Sequence, residues 1–384
     1  MTCLKMFGLF RHFFKVSKRN LDDQKASMVA ILVTFKHINL LILINACLRL
    51  ILIGFGVVGQ NFAQLILSRS TELYNSFGIK PRVVACADKG GVVTSSEGLD
   101  LQRLLRTKRI TNSVAHYDKN ARDRNILEVI QEAEAEVVIE LTPTNIKDGE
   151  PGRTHIISAM KAGKNVITVN KGPLALEFPS LIELAEYNRI AFRFSGTVGG
   201  GTPILEFAKR CLKGDRILSF EGILNGTTNY ILTQMGEGLT FPEALSDATT
   251  KGYAEKDPSL DIDGYDAAAK LVITSNWVLG IKSTIRDVKR IGIKNLDLSD
   301  VKMATKNGAA IKLIASCDGE NLKVAPKQVS KRDPICVNGT LNAITFVSEH
   351  SGQQTIIGKG AGGMETASSV LRDLIEIRNT RSFI

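Results

Sequence analysis

A chain of 384 residues with 44% hydrophobic and 6% aromatic content is long enough for two domains, each with its own core, and this composition excludes a fibre or a disordered chain. The net charge of +10 suggests nucleic acid only until it is located. Residues 1–50 carry eight Lys and Arg against Asp22 and Asp23, and the remainder holds no basic stripe interleaved with aromatics, so nucleic-acid binding is not expected.

The first 47 residues stand apart as a leader. Residues 1–25 are basic, and 28–53 are apolar but interrupted by Lys36, His37, Asn39, Asn45 and Arg49. A membrane span here would surrender its last residues to the strand that follows, and no cleavage site of a signal peptide is present. The expectation is a dispensable leader, with a membrane or partner-binding helix as the alternative. Six scattered cysteines (Cys3, Cys47, Cys86, Cys211, Cys317, Cys336) form neither a C-x-x-C site nor a disulfide framework, which suits a reducing cytoplasm. The five histidines contain no pair four apart, so no transition metal is expected.

From Leu48 the chain reads strand, glycine turn, helix, strand. Residues 48–53 are an apolar run suited to a strand buried on both faces. Gly54-Phe-Gly56-Val-Val-Gly59 follows and opens a helix over 58–69. Gly54 permits the turn, Gly56 lets backbone approach a pyrophosphate, and Gly59 lets the helix pack on the strand. A second strand over 82–87 stops at Asp88, after a long loop over 70–80. Asp88 is placed to accept hydrogen bonds from the adenine ribose and favour NAD, while Lys89 could meet a 2′-phosphate, so NAD and NADP both stay open.

Strands over 136–140 and 165–169 follow helical stretches at 126–134 and 154–162. Thr142-Pro-Thr144 and Asn170-Lys171-Gly-Pro173 sit after the first and second of these strands, at carboxyl ends where open α/β sheets place ligands. Lys171 could hold a carboxylate or an aldehyde oxygen there, against the plainer reading of a surface lysine in a turn. The alternation gives a Rossmann-type doubly wound parallel sheet.

Near residue 195 glycines cluster, a helix covers 203–211, and a strand over 217–224 breaks at Asn225-Gly226, which marks a second, mixed α/β domain. No flexible linker separates the two. Then comes the densest constellation, Gly252-Tyr-Ala-Glu255-Lys-Asp257-Pro-Ser-Leu-Asp261-Ile-Asp263-Gly-Tyr-Asp266-Ala-Ala-Ala-Lys270. Asp266 and Lys270, four apart, share a face of a helix that runs apolar to residue 279. A solvated acidic loop with an exposed ion pair is the plain alternative. A lysine entering an apolar stretch beside a carboxylate is, on the other reading, a candidate proton donor. A glycine turn over 358–363 opens the last helix, 365–377, which could return to the first domain.

These motifs, with Ser195-Gly-Thr-Val-Gly-Gly-Gly-Thr-Pro203, Asn225-Gly-Thr-Thr-Asn-Tyr230 and Gly360-Ala-Gly-Gly363, resemble the homoserine dehydrogenase family in content and order over residues 48–384. The resemblance implies reversible NAD(P)H-dependent reduction of L-aspartate 4-semialdehyde to L-homoserine. It implies a dinucleotide-binding domain, 48–194, completed by 360–384, and a substrate-binding, catalytic and dimerisation domain, 195–359. By position, Lys270 is the proton donor with Asp266 beside it, and Lys171 assists. Gly252, Glu255, Asp261 and Lys270 would bind substrate. Gly54, Gly56, Val57, Val58, Gly59, Asp88, Thr142, Lys171 and Gly362 would bind the cofactor. A sodium ion would map to Ser195, Val198, Gly200 and Thr202, largely through main-chain carbonyls.

Two departures stand out: Ser195 replaces a common acidic residue, and Lys256 replaces a common proline. The chain ends soon after residue 377, so regulation by threonine through an appended module is not expected. A homodimer in the cytoplasm is expected. An aspartate-semialdehyde dehydrogenase would need an activated cysteine, and no cysteine lies in such a motif. A dinucleotide sensor would have no use for Asp266 with Lys270.

Overall fold

The computed structural model describes residues 47–381. The leader lies outside the described residues except for Cys47, which opens the first strand.

β1 (Cys47–Ile53) is buried on both faces because its alternating side chains enter two cores. Leu48, Leu50 and Leu52 face one, and Ile51 and Ile53 face the other. It is followed by α1 (Val57–Ser68), α2 (Ser70–Phe77), β2 (Lys80–Asp88), β3 (Gly91–Thr94) and α3 (Leu101–Thr111). Then come α4 (Ile126–Glu132), β4 (Val137–Glu140), α5 (Gly152–Lys161), β5 (Asn165–Thr168), α6 (Lys171–Tyr187) and the short β6 (Phe192–Arg193). The first sheet has the order β3-β2-β1-β4-β5-β6. Strands β1, β4, β5 and β6 run parallel, and the carboxyl ends of β1 and β4 meet where the strand order reverses. This is a Rossmann-type α/β lobe.

Two local expectations change. The stretch after Arg69 is no loop: 70–77 is helical, buries only Leu73, and ends on Gly78 at φ 62°. A helix with one buried residue leaves almost no periodic signal. β3 is antiparallel to β2 rather than part of the parallel set, because only Lys89 and Gly90 separate them, too few for a crossover.

The second lobe holds β7 (Ile217–Ile223), α7 (Gly226–Gly236), α8 (Phe241–Thr250), α9 (Tyr265–Thr274) and β8 (Lys289–Arg290). It continues with α10 (Leu298–Lys306), β9 (Ala309–Cys317), β10 (Leu322–Ser330), β11 (Leu341–Ser348) and β12 (Gly352–Lys359). Its sheet, β12-β11-β7-β9-β10-β8, is antiparallel except for the β10/β8 pair. Two expected helices are partly wider coils. Residues 203–211 make one α turn and then a π turn, and α9 passes into a π turn at Ser275–Leu279. In the second case Thr274 and Ser275 hydroxyls and the Asn276 amide donate to carbonyls four residues back, which loosens the ladder.

The last helix, α11 (Gly363–Arg381), returns to the first lobe, where Ala367, Val370, Leu371, Leu374 and Ile377 pack with Leu50, Leu52 and Phe62. It also grips the crossover between lobes: the backbone N–H and hydroxyl of Ser195 donate to Asp373 at 3.0 and 2.5 Å, and the Ser369 hydroxyl donates to the Gly200 carbonyl. Asp373 is 1% exposed, and that burial raises its carboxyl to about 6. One apolar core runs from Ile53 through Phe178 and Leu271 to Phe346, so the lobes are fused rather than hinged on a linker. Among the described residues no helix is long and apolar enough to cross a membrane.

Candidate active site

A cleft of about 1470 Å³ lies between the lobes, across the carboxyl ends of the parallel strands. Gly54, Gly56, Val57 and Val58 line one end of it. Gly54 takes φ 101°, which a side chain resists, and a Cβ there would meet the Leu141 carbonyl at 2.6 Å. A Cβ on Gly59 would meet the Gly54 carbonyl at 2.4 Å, so this glycine sets the helix against the strand and does not face the cleft. Gly56 differs: nothing lies within 4 Å of its Cβ position. It caps α1 with no side-chain hydrogen bond and no acidic residue in the first turn, leaving the helix N–H groups for an anion. A dinucleotide pyrophosphate fits this open cradle.

Asp88, Thr142 and Gly362 also line the cleft. Asp88 is already fully engaged. One oxygen accepts from the Gly90 N–H at 2.8 Å and the Ser113 hydroxyl at 3.0 Å, and the other accepts from Lys108 and the Val114 N–H, both at 2.8 Å. Burial opposes the charge on Asp88, but Lys108 and the backbone donors outweigh it and lower the pKa. Four donors fill what a carboxylate offers, so a ribose would find no free acceptor there, and Lys89 and Lys108 face the cleft beside it.

At the other end Lys171, Asp261, Asp266 and Lys270 converge, with Gly252 and Glu255 on the rim. Asp266 lies in the first turn of α9 and Lys270 one turn later. Lys270 is 6% exposed; its Nζ sits 2.7 Å from Asp266 Oδ2 and donates to the Leu224 carbonyl at 2.7 Å, freed where β7 breaks. An ammonium has three N–H groups, so one remains for the cleft. Lys171 opens α6 after its cap Asn170, and its Nζ lies 3.4 Å from Asp266 Oδ1. Burial alone would raise the Asp266 carboxyl, but Lys270 and Lys171 hold it well below its ordinary value. Asp261 is pushed up, by burial and then by the neighbouring Asp266 charge.

Sequence reasoning singled out no role for Asn225, yet the geometry gives it one. Its side-chain oxygen caps α7 by accepting from Thr228 N–H at 2.8 Å, while its amide donates to Asp261 at 2.6 Å and Asp266 at 2.8 Å. The strand break at Asn225-Gly226 was the available signal. Glu140 was likewise passed over, and Asn170 was placed at a strand end without a role: Thr142 donates to Glu140 through backbone and hydroxyl, Thr168 donates to it at 2.9 Å, and Asn170 donates to the Pro143 carbonyl at 3.2 Å. Together they fix the two strand ends beneath the cleft.

The sodium site that the resemblance implies would rest largely on main-chain carbonyls of Ser195, Val198, Gly200 and Thr202. Ser195 spends its hydroxyl on Asp373, the Gly200 carbonyl accepts from Ser369, and the Thr202 carbonyl accepts from the Ile204 N–H while its hydroxyl donates to the Lys359 carbonyl. Ser195, Val198 and Thr202 lie outside the cleft wall. Among the described residues no group of three or more His, Cys, Asp or Glu suited to a metal occurs.

The family profile described as homoserine dehydrogenase matches residues 203–375, and that described as homoserine dehydrogenase, NAD binding domain, matches 54–195. The homoserine dehydrogenase of Methanocaldococcus jannaschii is 42% identical over 332 residues, covering 86% of this chain and 98% of that protein. The NAD(+)-dependent homoserine dehydrogenase of Pseudomonas canavaninivorans is 39% identical, covering 86% and 96%. Among solved structures, a hyperthermophilic archaeal homoserine dehydrogenase in complex with NADPH superposes with a TM-score of 0.77 at 27% identity, covering 87% of this chain and 98% of that one.

Proposed function

The chain belongs to the homoserine dehydrogenase family, and from that premise we propose how its residues carry out the reaction. The protein is an NAD(P)-dependent oxidoreductase that interconverts L-aspartate 4-semialdehyde and L-homoserine. When bound, the nicotinamide supplies or accepts the hydride.

We assign the first lobe, residues 48–194 with 360–384, to the dinucleotide. Gly56, Val57, Val58, Thr142 and Gly362 face it, while Gly54 and Gly59 shape the turn. Residues 195–359 bind substrate and carry the acid. The observation that supports the mechanism is the third, uncommitted N–H of Lys270. Reduction of an aldehyde leaves negative charge on oxygen, so an ammonium aimed there both stabilises that charge and delivers the proton. Asp266 orients Lys270 through the 2.7 Å ion pair. Lys171, on the same carboxylate, holds the aldehyde oxygen or the substrate carboxylate. Asp261, Glu255 and Gly252 receive the substrate ammonium.

The test is a kinetic comparison of two lysines. Lys270→Ala should lower kcat by ~10²–10⁴-fold with cofactor affinity near wild type. Lys171→Ala should place a larger share of its loss in KM. If Lys270→Ala keeps more than about a third of the wild-type kcat, the proton comes from elsewhere.

We further propose a homodimer, with the second lobe as the contact. Its edge strand β12 is unpaired on one side and exposes Ile357, an arrangement natural proteins usually cover. The mass in solution decides this. Cysteines 47, 86, 211, 317 and 336 are free thiols, which supports a cytoplasmic location.

A further inference from the structure

His155 plays no part in the mechanism above, yet it stands in the cleft wall. It lies on α5 with its side chain 9% exposed, and it lines the same cleft as the glycine turn and Lys270. Its Nδ1 is enclosed and has no hydrogen-bond partner. Glu140 Oε1 lies 4.0 Å from Nδ1, beyond hydrogen-bond range. Glu140 itself is 0% exposed at the end of β4. A buried ring nitrogen without a partner is unfavourable, and a small shift of the ring toward Glu140 would give Nδ1 one. The protein side leaves little freedom. A Cβ on Gly152, one turn earlier on α5, would lie 2.4 Å from Asn170 Nδ2 and 3.2 Å from Glu140 Oε2. His155 itself lines the cleft, and its enclosed Nδ1 is not the edge that does so.

We infer that His155 is a cofactor-binding residue that keeps Nδ1–H toward Glu140 and offers Nε2 to an amino group of the bound dinucleotide. A carboxylate beside one ring nitrogen orients the ring, and with Nδ1–H toward it the ring accepts only through Nε2. β4 neighbours β1, whose end carries the glycine turn, so the ring faces the stretch of cleft that a dinucleotide crosses. A ligand seated on the open edge presses Nδ1 toward Glu140 and closes the 4.0 Å gap, as polar contacts in empty sites commonly tighten on binding. The acceptor recognises an N–H₂ group, and a dinucleotide has two: the nicotinamide carboxamide and the adenine amino group. The inference rests on the cleft being the dinucleotide site.

Three reduced dinucleotides separate the possibilities by fluorescence titration. They are NADH, its 3-acetylpyridine analogue without the carboxamide N–H₂, and its hypoxanthine analogue without the adenine amino group. Wild-type protein should bind one analogue about three- to tenfold more weakly than NADH, the range of one hydrogen bond. Comparing that ratio between wild type and His155→Leu cancels the intrinsic difference between ligands, and the variant should lose the preference. His155→Gln, whose side-chain oxygen can accept the same N–H, should recover part of it. Equal binding of all three by wild type, or a preference unchanged in His155→Leu, overturns the inference. Failure of NADH to bind wild type at all would instead remove the dinucleotide site on which it rests.

Discussion

The two ends of the cleft are built of different material. At the glycine end the protein presents main chain: an uncapped helix start, a turn at φ 101° and an empty Cβ position at Gly56. At the lysine end it presents side chains that hold one another, with Asn225 bridging Asp261 and Asp266, and Asp266 bridging Lys171 and Lys270. A main-chain site is specified by what is missing, so it fails when something is added. A side-chain network is specified by its members, so it fails when one is removed. Damage to the first should therefore appear in affinity, and damage to the second in turnover.

The largest expected effect tests the first half of that contrast. Gly56 has φ −81°, so Gly56→Val should fold, but its branched side chain fills the space left for the pyrophosphate. Titration with NADH or NADPH should show no measurable binding, and an unchanged dissociation constant would sink the assignment. Asp266→Asn tests the second half. It leaves the buried Lys270 ammonium, and the partly exposed Lys171 ammonium beside it, without their shared carboxylate, and removing one partner of a buried ion pair is strongly disruptive. We expect kcat to fall about 10²-fold, as when a general acid is compromised, with cofactor affinity little changed. A variant within threefold of wild-type kcat would show that Asp266 does not support the acid.

The same contrast explains what could be read in advance. The glycine spacing and the strand ahead of it placed the dinucleotide turn from sequence because a main-chain site leaves its requirement in the residue identities. Asp266 and Lys270 were legible because four residues on a helix fix their proximity. Asn225, Glu140 and His155 were not, since their partners lie 36, 28 and 15 residues away and only the fold brings them together. Asp88 could be located but not interpreted: the hydrogen bonds that fill it come from Lys108, Ser113 and Val114, on elements that periodicity alone did not resolve. α2 and the β2/β3 hairpin were missed for a related reason, since a helix with one buried residue and a strand of four residues carry little pattern.

A third test concerns a buried lysine of the second lobe outside the cleft wall. Lys312 is 1% exposed, and its ammonium donates to Asn229 at 2.8 Å and Asn338 at 3.1 Å without a carboxylate. Burial lowers its pKa to about 8 from 10.5. Below pH 8 it is charged in both folded and unfolded chains. Between pH 8 and 10.5 the fold releases the proton while the unfolded chain keeps it, so stability rises with pH across that window. The gain is at most about 3.5 kcal/mol, at roughly 1.4 kcal/mol per pKa unit. Lys312→Met should flatten this rise in urea midpoints measured from pH 7.5 to 10.5, and an identical slope in both proteins would refute it.

The smallest expected effect returns to the glycine end, at the one place where it relies on side chains. Asp88 was expected to hold the ribose and favour NAD, but Lys108 occupies one of its oxygens and stands beside Lys89 in the cleft wall. A 2′-phosphate arriving there would meet two ammonium groups, whereas a 2′-hydroxyl would meet a carboxylate with no acceptor to spare. Lys108→Ala changes both terms together. It removes a cation from the phosphate and frees an Asp88 oxygen for the hydroxyl, while the donors from Gly90, Ser113 and Val114 keep the carboxylate in place. A charge-assisted hydrogen bond contributes about 1.5–3 kcal/mol and tenfold corresponds to about 1.4 kcal/mol. The ratio of dissociation constants should therefore move about tenfold or more toward NAD(H). The shift should come from tighter NADH binding as well as weaker NADPH binding, which separates release of Asp88 from simple loss of a positive charge. A ratio that stays put would mean that neither the lysine nor the aspartate reads the ribose.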